Sequence, residues 1–245
     1  MDRNIAIITG HAGAIGSAMC ETFTSNGYFV FGIDQIKTKN VEQEAIYDLY
    51  ELAYDIRLKQ ALKQELHELI QPNDKITLIN NAAVQIVRSF DQLEPKDLNR
   101  SLSINCISAF CIVKILYEIA AEQLTTVINI SSIHSTLSKK NFLAYAVSKS
   151  ALSGLTRSLS IELGARTRVC EIRPAAIETN MLKNGFKNSP SFIDALRAFH
   201  PSQSIGQPAD VAQLALLIDQ QPSAFLNGCI INLDGGISNC LHDPF

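Results

Sequence analysis

Short apolar runs alternate along the chain with longer segments whose apolar residues recur at helical spacing. The short runs are typical of buried strands, and glycine or proline breaks the chain after several of the longer segments. We therefore predict strands at 5–8, 28–33, 52–54, 76–79, 126–130, 168–172 and 229–233. We predict helices at 15–26, 58–70, 95–123, 144–163 and 208–219, with a loop and a short helix over 35–49.

The predicted strands are apolar throughout and are separated by helices. This pattern indicates a parallel sheet that is covered by helices on both faces. We therefore predict an α/β fold, a doubly wound parallel sheet of the Rossmann type, as a single domain over 1–245. In this architecture ligands bind in the crevice beyond the carboxyl ends of the strands.

Composition and charge narrow the classes of partner. The 245 residues are 47% hydrophobic, which is typical of a globular protein with a large core. The formal net charge is −3, and no long cluster of lysine and arginine is present. Because nucleic acids and anionic membranes usually attract such clusters, we expect neither as a partner. No apolar run reaches the length of a membrane span.

The six cysteines are scattered along the chain. They form no CxxC pair and have no histidine at zinc spacing, so we expect reduced, buried thiols and no metal site. The amino terminus enters an apolar strand without the basic stretch and cleavage site of a secretory signal. We therefore expect the protein to be cytoplasmic.

A glycine-rich segment, TGHAGAIG at 9–16, joins the first strand to the first helix. Gly10, Gly13 and Gly16 suit a tight turn, a close approach of backbone amides to a pyrophosphate, and close packing of helix on strand. The helix amino terminus presents N–H groups and a positive dipole end to an anion. The segment therefore predicts a dinucleotide phosphate site, in which we expect His11 to be exposed to solvent.

An acidic residue ends the second predicted strand. Asp34 follows Gly16 at the spacing at which a carboxylate bonds the adenosine ribose hydroxyls and repels a 2′-phosphate. Its neighbour is Gln35 rather than an arginine. NAD is therefore favoured over NADP, although Lys37 and Lys39 keep NADP as an alternative.

Tyr145 and Lys149 are four residues apart in a predicted helix, so they lie on one face, one turn apart. A nearby ammonium favours the phenolate, so Lys149 should lower the pKa of Tyr145 towards neutrality. Ser132 follows the fifth strand and Asn81 follows the fourth. Both are expected at the sheet edge that faces the ligand crevice.

Together and in this order, these residues resemble the short single-domain branch of the short-chain dehydrogenase/reductase family. The resemblance extends from Ile5 to Gly236. It is carried by the TGxxxxxG loop, Asp34, Asn80-Asn81-Ala82, Asn105, Ser132, Tyr145 with Lys149, Pro174 with Thr179, and Asp234-Gly235-Gly236. Two departures are alanines at positions 83 and 175, where the family more often has glycine.

The resemblance implies a role for four catalytic residues. Tyr145 would be the general acid/base, and Lys149 would lower its pKa and bind the nicotinamide ribose. Ser132 would polarise the substrate oxygen, and Asn105 would hold a water that relays protons. Contacts to NAD are implied at Gly10, Ala14, Ile15, Gly16, Asp34, Asp55, Ile56, Asn81, Ala82, Ala83, Tyr145, Lys149, Pro174, Ile177 and Thr179, with Asp55 at the adenine and with Ile177 and Thr179 at the carboxamide.

The activity that the resemblance implies is NAD(H)-dependent oxidation or reduction. The substrate would be a secondary alcohol or ketone, such as a sugar, polyol or other small carbonyl compound. One alternative is a sugar-nucleotide epimerase or reductase of the longer branch of the family, whose loop the TGxxGxxG pattern also fits. A second is a non-catalytic cofactor-binding protein on the same fold. The chain length and the spacing of Ser132 and Tyr145 favour the short branch, and the intact catalytic positions favour an enzyme.

Residues on the substrate side are less clearly marked. The segment 181–204 has no regular period, and the resemblance implies that it forms a lid over the substrate. Its apolar residues include Phe186, Phe192, Leu196 and Phe199. Gln85 and His134 are further candidates for substrate contact. The predicted helices at 95–123 and 144–163 are apolar on more than one face, and the resemblance implies that they pair between subunits, so we expect a homo-oligomer, either a dimer or a tetramer.

Overall fold

Seven parallel strands form the centre of the computed structural model, which describes residues 3–38, 41–185 and 190–241. The strands are β1 (Asn4–Thr9), β2 (Phe29–Asp34), β3 (Gln43–Ile46), β4 (Lys75–Asn80), β5 (Leu124–Ile130), β6 (Arg168–Pro174) and β7 (Ile230–Leu233). The α-helices are α1 (Ala14–Ser25), α2 (Leu49–Leu52), α3 (Ile56–Leu69), α4 (Pro95–Leu102), α5 (Ser108–Ala120), α6 (Leu143–Glu162), α7 (Asn180–Gly185), α8 (Pro190–Phe199) and α9 (Pro208–Gln220).

The strand order across the sheet is β3-β2-β1-β4-β5-β6-β7. The chain runs outward from β1 to β3 and then returns to place β4 on the other side of β1. Such a reversal leaves a crevice at the carboxyl ends of the strands on either side of it. Ile8 of β1 pairs with Gly32 of β2 and with Ile79 of β4, so the carboxyl ends of these strands are level. The predicted α/β, doubly wound, single-domain fold is confirmed.

Helices cover both faces of the sheet, and the strands are buried on each side. In β1, Ile5 and Ile7 face a core that includes α3 and α5, whereas Ala6 and Ile8 face a core that includes α1 and α9. All four residues are fully buried. Burial of each isoleucine side chain stabilises the fold by about 1.5–3 kcal/mol, which explains why these strands read as continuous apolar runs.

The third strand was predicted in the wrong place. It lies at Gln43–Ile46, within the segment predicted to be a loop and a short helix, whereas 52–54 ends α2 and the turn after it. β3 is an edge strand that pairs only with β2, and Ala45 is its only buried residue. Its apolar signal is therefore weak. By contrast, Leu52 and Ala53 are buried by helix packing and so resembled a short strand.

The predicted long helix at 95–123 is interrupted. A π-helical turn at Ser103–Ile107 separates α4 from α5. By length and composition alone, Pro95–Ala120 could cross a membrane, a criterion that buried core helices also meet. Here Ile112 and Leu116 of α5 are fully buried in the core beside α3.

The segment 175–205 contains α7 and α8, although its sequence shows no helical period. α7 has only six residues, which is too short to display one. Phe186 lies outside the described residues, as does the side chain of Phe192. The other predicted helices and strands agree with the structure to within a few residues at their ends.

Candidate active site

A cavity of about 1010 Å³ lies at the carboxyl ends of the strands. Most of the predicted cofactor and catalytic residues line it: Gly10, Ala14, Ile15, Gly16, Asp34, Asn81, Ala82, Ala83, Ser132, Tyr145, Lys149, Pro174, Ile177 and Thr179. The substrate candidates Gln85 and His134 line it as well. Asn105, Asp55 and Ile56 are not among its lining residues.

The glycines after β1 permit approaches that a side chain would block. Gly10 has a φ of 68°, and a Cβ there would lie 2.7 Å from the Cα of Ala82. A Cβ on Gly16 would lie 2.1 Å from the carbonyl oxygen of Gly10. α1 begins after Gly13 with no side-chain cap, and its first turn lines the cavity. This uncapped amino end offers N–H groups and a positive dipole end, and so fits a pyrophosphate.

Thr9 and Asn81 join the loops that follow β1 and β4. The backbone N–H groups of Asn81 and Ala82 each donate to Thr9 Oγ1 at 3.0 Å. Asn81 Nδ2 donates to the carbonyl oxygens of Thr9 and Gly10 at 3.0 and 3.1 Å. These bonds hold the glycine loop against the loop that follows β4, so hydrogen bonds between the two loops fix this wall of the cavity.

Asp34 lies on the cavity wall at the end of β2. Its Oδ2 accepts from the N–H of Ala12 at 3.1 Å and its Oδ1 from the N–H of Ile36 at 3.2 Å. The carboxylate is thus held beside the phosphate loop. Its charge would repel a 2′-phosphate. Lys37 is exposed and is not among the lining residues, and Lys39 lies outside the described residues.

His11 is fully buried, so the prediction that it is exposed was wrong. Its Nε2 lies 3.1 Å from both Glu44 Oε2 and Thr38 Oγ1. The ring packs against Gly32 of β2, where a Cβ would lie 2.6 Å from His11 Cγ. A glycine inside a strand often marks such a close approach, so Gly32 was the available signal for this burial.

Asp55 and Ile56 lie away from the cavity, and their predicted placement is corrected. Asp55 caps α3 and pairs with Arg57 at 2.8 Å, while Ile56 is exposed. Asp48 and Leu49 follow the true third strand and line the cavity instead. The error follows from the misplaced strand, because the residues after a strand at this edge face the crevice.

Ser132, Tyr145 and Lys149 converge beyond the carboxyl end of β5. Lys149 Nζ lies 5.7 Å from the centroid of the Tyr145 ring, and the Ser132 side chain lies close enough to the phenol to lower its pKa. Tyr145 is 8% exposed and Lys149 only 2%. The fold therefore brings the Ser132 hydroxyl, just after β5, close to the Tyr145 phenol and the Lys149 amine, which lie on one face of α6.

Burial dominates the protonation of this group. It raises the pKa of Tyr145 to about 12, partly opposed by the hydrogen bond with Ser132, and it lowers the pKa of Lys149 to about 8. The expected net lowering of the Tyr145 pKa is therefore not seen in this structure. Lys149 Nζ donates to the carbonyl oxygen of Ile130 at 2.8 Å, so its hydrogen bond is made to the strand. At neutral pH Tyr145 is a protonated phenol, and Lys149 is mostly an ammonium ion.

Asn105 is buried in the π-helical turn, behind the cavity wall. Its Oδ1 accepts from the N–H of Val84 at 2.8 Å. Its Nδ2 donates to the carbonyl oxygen of Val84 at 3.0 Å and to Ser148 Oγ at 2.8 Å. The side chain therefore connects the loop after β4 to α6. A π-turn inserted in a longer helix is frequently found at functional sites.

The predicted nicotinamide contacts lie at the end of β6. Pro174 ends the strand, and its carbonyl oxygen accepts from Ser132 Oγ at 3.5 Å. Thr179 Oγ1 accepts from the N–H of Leu182 at 3.2 Å and so holds the start of α7. Ile177 is held by a parallel bridge to Gly206.

The opposite wall of the cavity carries aromatic and cationic side chains. The His134 ring centroid lies 4.9 Å from that of Phe142 and 5.9 Å from that of Tyr145. Lys139 Nζ lies 4.1 Å from the Phe142 centroid, and burial together with this cation lowers the pKa of His134. Lys139 and Phe142 were not predicted as site residues, because they belong to a loop and a helix start without a distinct sequence pattern.

Within the described residues, no group of three or more His, Cys, Asp or Glu is arranged to hold a metal ion.

Known proteins resemble the chain over nearly its whole length. The family model described as enoyl-(acyl carrier protein) reductase matches residues 10–238. A 7α-hydroxysteroid dehydrogenase of Escherichia coli (strain K12) is 29% identical over 244 residues, which cover 96% of this chain and 94% of that protein. The NAD-dependent glycerol dehydrogenase of Listeria innocua is 25% identical over 95% of this chain and 92% of that protein. The chain belongs to the short-chain dehydrogenase/reductase family.

Solved structures show the same fold. The ligand-free aldohexose dehydrogenase of Thermoplasma acidophilum superposes with a TM-score of 0.89 at 22% identity, covering 100% of this chain and 98% of that one. Other structures of this fold were solved with NADH or with NADP bound. Membership in the family implies a nicotinamide cofactor, and both forms occur among structures of this fold.

Proposed function

We propose that the protein is an NAD(H)-dependent dehydrogenase or reductase for a secondary alcohol or ketone. The observation that carries this proposal is the convergence of Ser132, Tyr145 and Lys149 on one wall of a cavity whose other end is the glycine loop. When bound, the nicotinamide supplies or accepts the hydride. The protein's part is to hold the substrate oxygen and to move a proton.

Tyr145 exchanges the proton with the substrate oxygen. Burial keeps its phenol protonated at neutral pH, so it can donate to a carbonyl oxygen in the direction of reduction. Ser132 lies within hydrogen-bond reach of the same phenol and holds the substrate oxygen beside it. Lys149 places a positive charge under the ring and stabilises the phenolate that remains.

The choice of NAD rests on Asp34. Its carboxylate stands beside the phosphate loop, and the exposed Lys37 does not line the cavity. A 2′-phosphate at this carboxylate would therefore meet a negative charge, whereas ribose hydroxyls would find an acceptor.

The segment 181–204 is proposed as the substrate lid. Met181 and Leu182 of α7 and Leu196 and Phe199 of α8 line the cavity, as does His134. The apolar lid and the cationic wall at Lys139 favour a test panel that contains hydroxy acids and hydroxysteroids as well as neutral polyols and sugars.

Exposed apolar side chains on α5 and α6, among them Phe110 and Val147, support the proposed homo-oligomer. A monomeric mass measured by light scattering would contradict it.

The first experiment measures binding of NAD⁺ and NADP⁺ by calorimetry to the wild type and to Asp34→Ala. We expect the wild type to prefer NAD⁺, and the variant to bind NAD⁺ roughly 10- to 100-fold more weakly because it loses hydrogen bonds to a charged acceptor. Asp91→Ala is the matched control, since Asp91 is exposed and does not line the cavity.

Other outcomes would redirect the proposal. A wild type that prefers NADP⁺ would overturn the cofactor assignment. Binding of neither nucleotide would remove the oxidoreductase function. Product formation without net change in the redox state of the cofactor would favour an epimerase.

A further inference from the structure

A layer of buried polar side chains lies where α6 crosses β5 and β6. Tyr145, Lys149 and Ser153 follow each other at steps of four residues, so they form one stripe along α6 that faces the sheet. Beneath the stripe, β6 contributes Glu171 and Arg173. Glu171 is fully buried, and Lys149 and Ser153 are 2% and 3% exposed.

Glu171 is the acidic member of this layer. Ser153 Oγ donates to Glu171 Oε1 at 2.5 Å, and Arg173 Nε donates to the same oxygen at 2.7 Å. Among the described residues, Oε2 has no hydrogen-bond partner. Burial of a carboxylate with one oxygen unbonded is costly unless nearby positive charge compensates it. Arg173 supplies one such charge through Oε1.

Lys149 lies in the same buried layer, and the charge of Glu171 raises its pKa. Its Nζ donates to the carbonyl oxygen of Ile130, and Ile130 pairs with Ile172, the residue after Glu171. Ser131 Oγ lies 3.4 Å from the carbonyl oxygen of Lys149 and 3.5 Å from Ser153 Oγ, which continues the layer from Glu171 to the backbone of Lys149.

Few other ionisable groups act on Lys149. Burial lowers the pKa of Lys149, and the charge of Glu171 is the main opposing influence, followed by Cys106 of the π-helical turn. Tyr145 lies above it on α6, and His134 contacts Tyr145 from the far side. The polar side chains at and just after the carboxyl end of β5 are Asn129, Ser131 and Ser132, which carry no charge.

We propose that Glu171 is a positioning residue for catalysis, because its buried carboxylate supplies the negative charge that keeps Lys149 an ammonium ion beneath Tyr145. The inference rests on the proposed function of Tyr145 and Lys149. Glu171 does not line the cavity and therefore acts through Lys149 rather than on substrate.

The test compares pH profiles of kcat/KM for the wild type and Glu171→Gln in the direction of reduction, with NADH and a ketone that the wild type reduces. In the wild type, activity should fall as pH rises through about 8, where Lys149 loses its proton. Removal of the Glu171 charge disfavours the ammonium, so the alkaline limb should move down by roughly one pH unit and activity above the limb should fall about tenfold. Below the limb the two proteins should be alike.

Two further variants separate electrostatics from folding. Glu171→Asp keeps the charge and should restore the limb towards the wild-type position. Glu171→Gln leaves Arg173 as a largely buried cation without its partner, so the double variant Glu171→Gln/Arg173→Gln provides a neutral pair if the single variant fails to fold. The double variant should fold, and its limb should lie between those of Glu171→Gln and the wild type, because the Arg173 charge that also disfavours the Lys149 ammonium is gone. An unmoved limb, with activity reduced equally at every pH, would overturn the inference.

A second readout needs no substrate. NADH affinity, measured by fluorescence across the same pH range, should weaken at lower pH in Glu171→Gln than in the wild type, because Lys149 is proposed to bind the nicotinamide ribose. Identical binding profiles in both proteins would count against Glu171. Failure of the wild type to bind NADH or NADPH at all would instead count against the proposed function.

Discussion

The two faces of the sheet are packed with different chemistry. On the face covered by α1 and α9, most of the buried side chains are apolar, as at Met19, Phe23 and Val211, although the buried Thr77 hydroxyl donates to Asp219 of α9 at 2.6 Å. On the face crossed by α6, a hydrogen-bonded layer replaces part of the core: Asn129 Nδ2 donates to Thr156 Oγ1 at 2.9 Å, and both residues are fully buried.

The difference shows how the fold separates stability from orientation. Apolar contacts are non-directional, so the α1/α9 face stabilises the sheet without fixing the position of any single atom closely. Buried polar groups cost free energy unless each one meets its partner. The layer under α6 therefore fixes the position of this helix over β5 and β6, and with it the positions of Tyr145 and Lys149.

The largest expected effect is on activity, from a change on the α6 face. Tyr145→Phe removes the hydroxyl that exchanges the proton, so kcat should fall by roughly 100- to 10,000-fold. The thermal midpoint and NADH binding should stay close to wild type, since the ring and its packing remain. Substantial residual turnover in this variant would remove Tyr145 from the proposed mechanism.

The next effect is on stability, from a change on the opposite face. Phe23 is fully buried between α1 and the sheet, so Phe23→Ala should lower the free energy of unfolding by about 3–5 kcal/mol. Activity per folded molecule should be nearly unchanged. Phe90→Ala is the control, because Phe90 is 83% exposed and its loss should cost less than about 0.5 kcal/mol. Chemical denaturation measures both values. A loss of kcat in folded Phe23→Ala would mean that the α1/α9 face also orients the catalytic residues.

The smallest effect tests a polar contact on the α1/α9 face. Gly32→Ala would place a Cβ 2.6 Å from the buried His11 ring, so we expect a loss of about 1–3 kcal/mol in unfolding free energy. Gly154→Ala in α6 is the matched substitution. Its Cβ would meet no atom closer than 3.8 Å, and it should stabilise the helix by about 0.5–1 kcal/mol. Equal changes in unfolding free energy at the two glycines would mean that the His11 ring can move away from the new Cβ at little cost.

Much of the site could be predicted from local sequence. The glycine loop, Asp34 and the pair formed by Tyr145 and Lys149 depend on spacing within one turn or one helix, and each lines the cavity as predicted. The third strand could not be predicted in this way. Its residues form a strand because β2 offers an unpaired edge, and that is a long-range condition.

The corrections to single residues have the same origin. His11 is buried because β2 carries a glycine opposite it, and Asp48 rather than Asp55 reaches the cavity because of where β3 ends. The direction of the Tyr145 pKa shift was wrong because helical spacing gives the nearness of Lys149 but not the depth of burial.

The sequence by itself determined the alternation of strands and helices, the family, and most of the cofactor and catalytic residues that face the crevice, because periodicity and turn chemistry are local properties of the chain. Only the tertiary structure decided how deeply those residues are buried and which charges share their surroundings. The order of β5 and β6 in the sheet places β6 under α6, so Glu171 of β6 bonds both Ser153 of α6 and Arg173 of its own strand. Desolvation and electrostatic coupling depend on distances in space, and no spacing along the chain specifies them.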